Sequence, residues 1–536
     1  MTSPSLALSG ASCVLPDGRQ LFSDVDLQLD ERATGLVGRN GVGKSVLARM
    51  LAGEWVPATG RRTCTGSVYY LPQQIAVAQG ATVADAAGMG DVFRALARIE
   101  AGGVDAADFE CVGDRWDIRQ RLSLELQRQD LQGLEPEHSA ADLSGGEAMC
   151  VALAGAWLSN ADFLILDEPT NHLDNRHRHR LLARLQEWQS GLLVVSHDRV
   201  LLEAMQRIEE LSPQGLRSYG GPYSLYSRSR GEEQLQAVRT LEHHKLALRR
   251  QQRDMHEQRE REERRQARGH RMAREANQAP ILLGRGKDRS EGSRGKRDSA
   301  HEAVQARLAA CVREAATHVQ EDQEVAIFAP SVSSTDRVVA RLEGVVLPFV
   351  ASSVNRLELT VGGRQRIGVT GPNGSGKSTL LRVLAGHLAP LAGRCRTHVP
   401  VAWLDQRLSM LESSPSIREQ LRRVNPEAGE SELRTRLALL GLGADRITMP
   451  AGQLSGGERL KAALACALYA AEPAGLLLLD EPGNHLDLHA LEALERMLGH
   501  YRGALVVVSH DEALLDRLSL THRLDTSGST WRLRPC

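Results

Sequence analysis

The chain has 536 residues, with 66 Lys and Arg against 67 Asp and Glu and a formal net charge of −1. At about 150 residues per domain that length supplies three or four domains with sizeable cores, and 42% apolar with 25% charged residues excludes wholesale disorder. No apolar run approaches the ~18–20 residues needed to span a bilayer, the opening MTSPSLALSG lacks the pattern of an export signal, and eight scattered cysteines without a CxxC pair argue against a zinc or iron–sulfur site and fit a reducing cytosol.

Ala33 to Gly38 reads as a buried strand. It ends in a glycine-rich loop (Gly38, Arg39, Asn40, Gly41, Val42, Gly43, Lys44, Ser45) that opens a helix to Ala52. In the pattern G-x4-G-K-[ST], the glycines let backbone N–H groups curl around phosphate oxygens, and the helix N-terminus adds partial positive charge. Leu143-Ser-Gly-Gly-Glu147 follows, then an apolar strand ending in Asp167 and Glu168, then a Val-rich strand ending in His197.

The same motifs return in the same order. The second loop is Gly371, Pro372, Asn373, Gly374, Ser375, Gly376, Lys377, Ser378; Leu454-Ser-Gly-Gly-Glu458, Asp480–Glu481 and His510 follow. The chain is therefore a duplication. The loops are 333 residues apart but the LSGGE motifs only 311, so the first copy carries about 22 extra residues. We place them within residues 90–120, as either a longer loop or a small helical projection.

The segment of about 226–335 between the copies differs in composition. Arg228 to Glu263 holds 9 basic and 8 acidic residues, many at i,i+3 and i,i+4 spacing, the pattern of an exposed helix laced with ion pairs. From Arg264 to Arg297 the balance is 11 basic to 3 acidic, and the stretch 284–297 has too many glycines to hold a helix. Beyond it, Ala303, Leu308, Val312 and Ala315 form an apolar helical stripe. The economical picture is two antiparallel helices joined by a cationic tip.

In this context Lys44 and Lys377 reach the β- and γ-phosphates, while Ser45 and Ser378 ligate Mg²⁺. Asp167 and Asp480 hold Mg²⁺ through water, and Glu168 and Glu481 polarise the attacking water as general bases. Their strand-end placement exposes them at the carboxyl edge of a parallel sheet, where such sheets bind ligands. His197 and His510 read as γ-phosphate contacts.

Phosphate loop, LSGGE, Asp-Glu-Pro and histidine in this order resemble the ATP-binding cassette (ABC) ATPases. The resemblance implies an α/β fold of two ABC-type P-loop NTPase cassettes, residues 1–225 and 336–536, joined by a charged antiparallel helical linker, residues 226–335. It adds Gln73 and Gln406 as nucleotide and Mg²⁺ contacts. It also implies that LSGGE caps the ATP of the opposite cassette, so that Ser455, Gly456 and Gly457 complete the first site and Ser144, Gly145 and Gly146 the second. Asn171-His-Leu-Asp174, Asn484-His-Leu-Asp487, the charged linker and Tyr219-Gly-Gly-Pro-Tyr-Ser-Leu-Tyr226 resemble the ABC-F group. That resemblance implies a cytoplasmic, monomeric ATPase without a membrane partner. Its linker would meet the ribosome (rRNA and tRNA), in translation or antibiotic resistance, and the basic tip suits RNA phosphate on charge alone.

Some positions depart from the family pattern. Gly483 replaces a threonine, Val46 replaces another, Ala148-Met-Cys150 lacks the basic residue that Lys461 supplies, and the aromatic under adenine gives way to Cys13 in the first cassette and to Phe349 in the second. Two competent but unequal sites are expected. The alternative is a tandem nucleotide-binding subunit of an ABC transporter, which would leave the basic linker without a task.

Overall fold

The computed structural model describes residues 4–75, 78–171, 173–275, 303–316, 337–350, 356–484, 486–528 and 530–536. Residues 284–297, including the basic tip, lie outside them. Two bodies emerge, one of Met1–Tyr226 with Gln323–Cys536, the other of Ser227–Asp322.

The first body holds two mixed α/β halves of the same design. Strand order in the six-stranded sheet of the first is Val68–Leu71, Phe163–Asp167, Gly191–Val195, Ala33–Gly38, Arg207–Ser212, Gly215–Gly220. The second sheet runs Val401–Leu404, Leu476–Asp480, Ala504–Val508, Arg366–Thr370, His522–Asp525, Arg532–Pro535. All pairings are parallel except the last in each. The inner strands Phe163–Asp167, Gly191–Val195, Leu476–Asp480 and Ala504–Val508 are buried at every position, as a parallel sheet covered on both faces requires. In each half the phosphate-loop strand lies between the histidine strand and the outer pair, so loop, acidic pair and histidine emerge at one edge.

An antiparallel three-stranded sheet accompanies each core: Gln20–Leu29, Ser5–Val14 and Thr59–Thr65 in the first half, Leu357–Gly362, Val338–Val346 and Ala392–Thr397 in the second. Cys13 belongs to this layer, fully buried and opposite Phe22. It therefore cannot serve as the surface under adenine.

The extra length of the first half falls between the matching bridges Thr82↔Ser139 and Ser416↔Pro450. The stretch between Thr82 and Ser139 holds the helices Gly90–Glu100, Ala106–Val112 and Ile118–Arg128, where the shorter stretch of the second half has Ile417–Val424, Glu430–Leu439 and Ala444–Thr448. It contributes Phe93, Leu96, Val112, Ile118, Leu122 and Leu126 to a core shared with Val151 and Ala154 of the helix Gly145–Leu158. These residues form a packed subdomain, built by the 3.6-residue recurrence of their apolar positions.

The halves meet through buried side chains from both. Arg199 pairs with Glu495, both under a tenth exposed, and Arg517 pairs with the same carboxylate at 2.9 Å. Leu488 of the second half sits in the core cluster of the first. Removing one partner of such a buried pair strands the other charge.

The second body contains most of a long helix, Tyr223–Glu275, and a helix over 303–316. Arg253 and Arg261 both pair with Glu257, and Arg264 with Glu260, one turn away and exposed. Of the apolar stripe, Ala315 is buried, Leu308 and Val312 half-buried, and Ala303 exposed. No described helix is long and apolar enough to cross a membrane.

Candidate active sites

Each phosphate loop runs from a strand into a helix through glycines that no other residue could replace without strain. Gly43 and Gly376 precede their helices at φ 106° and 97°, left-handed values that side chains resist. Lys44, the first residue of its helix, is buried and folds back, its Nζ donating to the carbonyls of Gly38 (2.8 Å) and Arg39 (3.2 Å). Lys377 does the same to Gly371 and Pro372, both at 2.8 Å. Two neutral carbonyls thus hold each ammonium where a phosphate oxygen can take over.

A cavity of about 540 Å³ joins Asn40, Gly41, Gly43, Lys44, Ser45, Gln73, Asp167, Glu168 and His197. A second, of about 290 Å³, joins Asn373, Gly374, Gly376, Lys377, Ser378, Gln406, Asp480, Glu481 and His510. The remaining loop residues, Gly38, Arg39, Val42, Gly371, Pro372 and Ser375, shape the turns and do not line these cavities. Phe349, 88% exposed, borders the second cavity, whereas Leu15, Arg19 and Leu21 border the first.

Ser144 and Ser455 do not reach the opposite cavities. Each caps its own helix in a reciprocal capping box with Glu147 or Glu458, the S-x-x-E pattern that fixes a helix start. Neither Gly145 and Gly146 nor Gly456 and Gly457 line either of these cavities. A Cβ on Gly457 would stand 2.8 Å from that of Ala490, so this glycine also serves helix packing within its own half. What crosses instead is the Asn-His-Leu-Asp loop. Asp487 of the second half accepts from the backbone N–H of Asn40 at 2.8 Å, and Asn484 lines the first cavity.

Glu168 and Glu481 share a feature invisible to sequence patterns. Both sit at positive φ, 49° and 48°, a conformation costing a side chain about 1–3 kcal/mol. Each is held there by its own N–H, which donates to the neighbouring strand at Val195 (2.8 Å) or Val508 (2.9 Å). The twist turns the carboxyl toward the histidine: Nε2 of His197 lies 3.3 Å from Glu168, and Nε2 of His510 lies 3.4 Å from Glu481. Burial pushes the Glu168 carboxyl upward, and moves Glu481 to about 7, against the pull of Arg178 and Lys377. Burial also depresses both imidazoles, His510 to about 3, so the histidines are neutral at physiological pH.

The donor sets fit Mg²⁺. Asp167 Oδ1 and Asp480 Oδ1 are buried without a hydrogen-bond partner, beside Ser45 and Ser378, and a magnesium ion takes one or two such protein oxygens plus phosphate and water. Among the described residues no group of three or more His, Cys, Asp and Glu could hold a metal alone.

Sequence reasoning missed several residues here. Tyr70 donates to Asp167 Oδ2 at 3.3 Å. His177 Nδ1, in the first turn of the helix Asn175–Gln186, lies 2.7 Å from Asp174 at its cap, where the second half has Ala490. This contact holds Asp174 well below the carboxylate range and raises His177 to about 10. A histidine so raised gives its full stabilisation below about pH 6.5 and loses it as pH climbs towards 10. The melting temperature should therefore fall by several degrees from pH 7 to 10, and differential scanning fluorimetry should find a flatter profile in His177→Gln. An equally steep decline in that variant would refute the pair.

A family model described as ABC transporter matches residues 22–171 and 354–484. The chain is 33% identical over 551 residues to the tylosin resistance ATP-binding protein TlrC of Streptomyces fradiae, covering 97% of each. It is 30% identical to human ATP-binding cassette sub-family F member 3, over 93% of this chain and 68% of that one. Among solved structures, the archaeal ribosome recycling factor aABCE1, in complex with ribosomal stalk protein aP1, aligns with a TM-score of 0.56 at 18% identity, covering 98% of this chain and 89% of that one. This last likeness is one of fold.

Proposed function

The chain belongs to the ABC-F family of tandem ATP-binding cassettes without transmembrane domains, and from that premise we propose that it is a cytoplasmic ATPase that engages the ribosome through its interdomain linker, modulating translation or protecting it from ribosome-targeting antibiotics. The observation that carries this reading is the joining of two phosphate-handling cavities in one body with a linker whose far portion, Arg264 to Arg297, holds 11 basic and 3 acidic residues. The tylosin resistance of TlrC supports the antibiotic branch.

ABC ATPase domains bind and hydrolyse ATP, typically with Mg²⁺. In this chain the loop N–H groups of residues 38–45 and 371–378 cradle the phosphates, and Lys44 and Lys377 exchange their carbonyl partners for β- and γ-phosphate oxygens. Ser45, Gln73 and Asp167, with Ser378, Gln406 and Asp480 in the second site, would hold Mg²⁺, which would supply charge neutralisation during phosphoryl transfer. Glu168 and Glu481 orient and deprotonate water, a task suited to a carboxyl near neutrality. Neutral His197 and His510 face the γ-phosphate. On closure, Ser144, Gly145 and Gly146 cap the second nucleotide, and Ser455, Gly456 and Gly457 the first. The products are ADP and phosphate, whose release reopens the pair.

Sucrose-gradient sedimentation with ATP tests the ribosomal part. A Glu168→Gln, Glu481→Gln chain should move with ribosomes more fully than the parent, because ATP is bound and not consumed. Migration at the free-protein position with both nucleotides bound, or with membranes, would overturn the proposal.

A further inference from the structure

We propose that Arg178, carried by the first cassette, is a positioning residue for the second ATP site, lent across the interface with no counterpart in the other direction. The inference rests on the ATPase reading above and assigns to one site a brace that the other lacks.

Arg178 lies in the helix Asn175–Gln186 that follows the first Asn-His-Leu-Asp loop, and its side chain is only 18% exposed. The guanidinium touches three separate points. Its Nε donates to the carbonyl of Leu173 at 3.1 Å, anchoring the fork to its own loop. One Nη donates at 3.3 Å to the carbonyl of His510, in the second half. The same nitrogen stands 3.5 Å from a carboxylate oxygen of Asp198, the residue after His197, which caps the helix Arg199–Glu203. Arg178 also lines both cavities. The planar fork of arginine holds several acceptors at fixed angles, which a lysine ammonium cannot reproduce.

The internal repeat exposes the asymmetry. The position 313 residues later is Leu491, buried and lining the first cavity, with no donor to offer His197. The neighbouring positions are unequal in the same sense. Asn175 donates to Glu512 of the second half at 3.1 Å, while its counterpart Leu488 is buried in the first half's core. The carbonyl of His510 is therefore held by a guanidinium from its neighbour, whereas the first site's segment is tied to the second half through Arg199 and Glu495, with Leu491 at the position that repeats Arg178. The geometry thus gives the second site a guanidinium brace behind its histidine where the first has a leucine.

Turnover in site-isolated backgrounds decides the matter. Glu168→Gln leaves the second site to hydrolyse, and Glu481→Gln leaves the first. Adding Arg178→Leu should lower kcat about tenfold in the Glu168→Gln background, with KM for ATP within about twofold, since displacing a positioned group costs rate more than binding. In the Glu481→Gln background the loss should be clearly smaller, about threefold or less, since Arg178 meets the first site through Asp198, beside His197, and the second through the carbonyl of His510 itself. Arg178→Lys, which keeps the charge but places its donors on one nitrogen instead of a planar fork, should give an intermediate kcat. Leucine is what the repeat tolerates at this position, and an unchanged melting temperature checks that the variant folds. Equal losses in both backgrounds, a loss confined to the first site, or a KM effect alone would overturn the proposal. Absent turnover in both single-Gln backgrounds would sink the ATPase reading and this inference with it.

Discussion

Replacing Glu168 and Glu481 together by Gln should lower ATP turnover about 10²- to 10⁴-fold, the range for loss of a general base, while leaving ATP binding intact. The side chains are under a tenth exposed and near-isosteric with Gln, so the phosphate loops and the strained backbone turns have no reason to move. Stability should not suffer either. Burial already disfavours the charged form of both carboxyls, and a neutral amide removes that penalty near neutral pH and above. Phosphate release measures the rate, fluorescent ATP titration the binding, and thermal unfolding the fold. A double variant retaining more than about a tenth of parental turnover would remove Glu168 and Glu481 from the chemistry, because loss of a general base costs about a hundredfold or more.

What the sequence conveyed was what local chemistry dictates. A buried strand running into a glycine-rich loop and a helix is specified by residues 33–52 alone, and strands such as Phe163–Asp167 announce themselves by unbroken apolarity. The start of the helix at Gly145 is equally local, since Ser144 and Glu147 satisfy each other's backbone donors. Relations between halves are not local. The hydrogen bond from Arg178 to His510 spans 332 residues and depends on how two folded cassettes meet, so nothing in the neighbourhood of Arg178 signals it. The same holds for Asp487 against Asn40. The left-handed backbone at Glu168 and Glu481 escaped for another reason: glutamate carries no preference for that conformation, which is imposed by the hydrogen bond to the next strand. Cys13 lies near the right point of the chain for a base-stacking residue, but strand alternation turns it inward. The proposed capping of ATP by the opposite LSGGE would be another relation between halves; here Asp487 and Asn484 stand at the first cavity instead.

Neutralising Arg285, Lys287, Arg289, Arg294, Lys296 and Arg297 to Gln should weaken ribosome binding and flatten its dependence on salt. Every cation withdrawn from a phosphate reduces the slope of log affinity against log salt by about 0.7–0.9, so withdrawing six shrinks the fall between 50 and 200 mM salt by roughly 300- to 2,000-fold. The long helix offers a matched control of the same charge type. Arg253 and Arg261 share Glu257 within a stretch, Arg228 to Glu263, of 9 basic and 8 acidic residues, so their fields are largely cancelled before any RNA approaches. The tip sequence instead holds six basic residues against Asp288 and Glu291 within residues 284–297, too few acids to cancel them. Changing Arg253 and Arg261 to Gln should therefore alter the salt slope much less per charge than changing any two tip residues. Filter binding or sedimentation across a salt titration reads both slopes. Equal effects per charge at the two places would mean that the ribosome responds to overall linker charge, and the tip would lose its claim to touch the RNA.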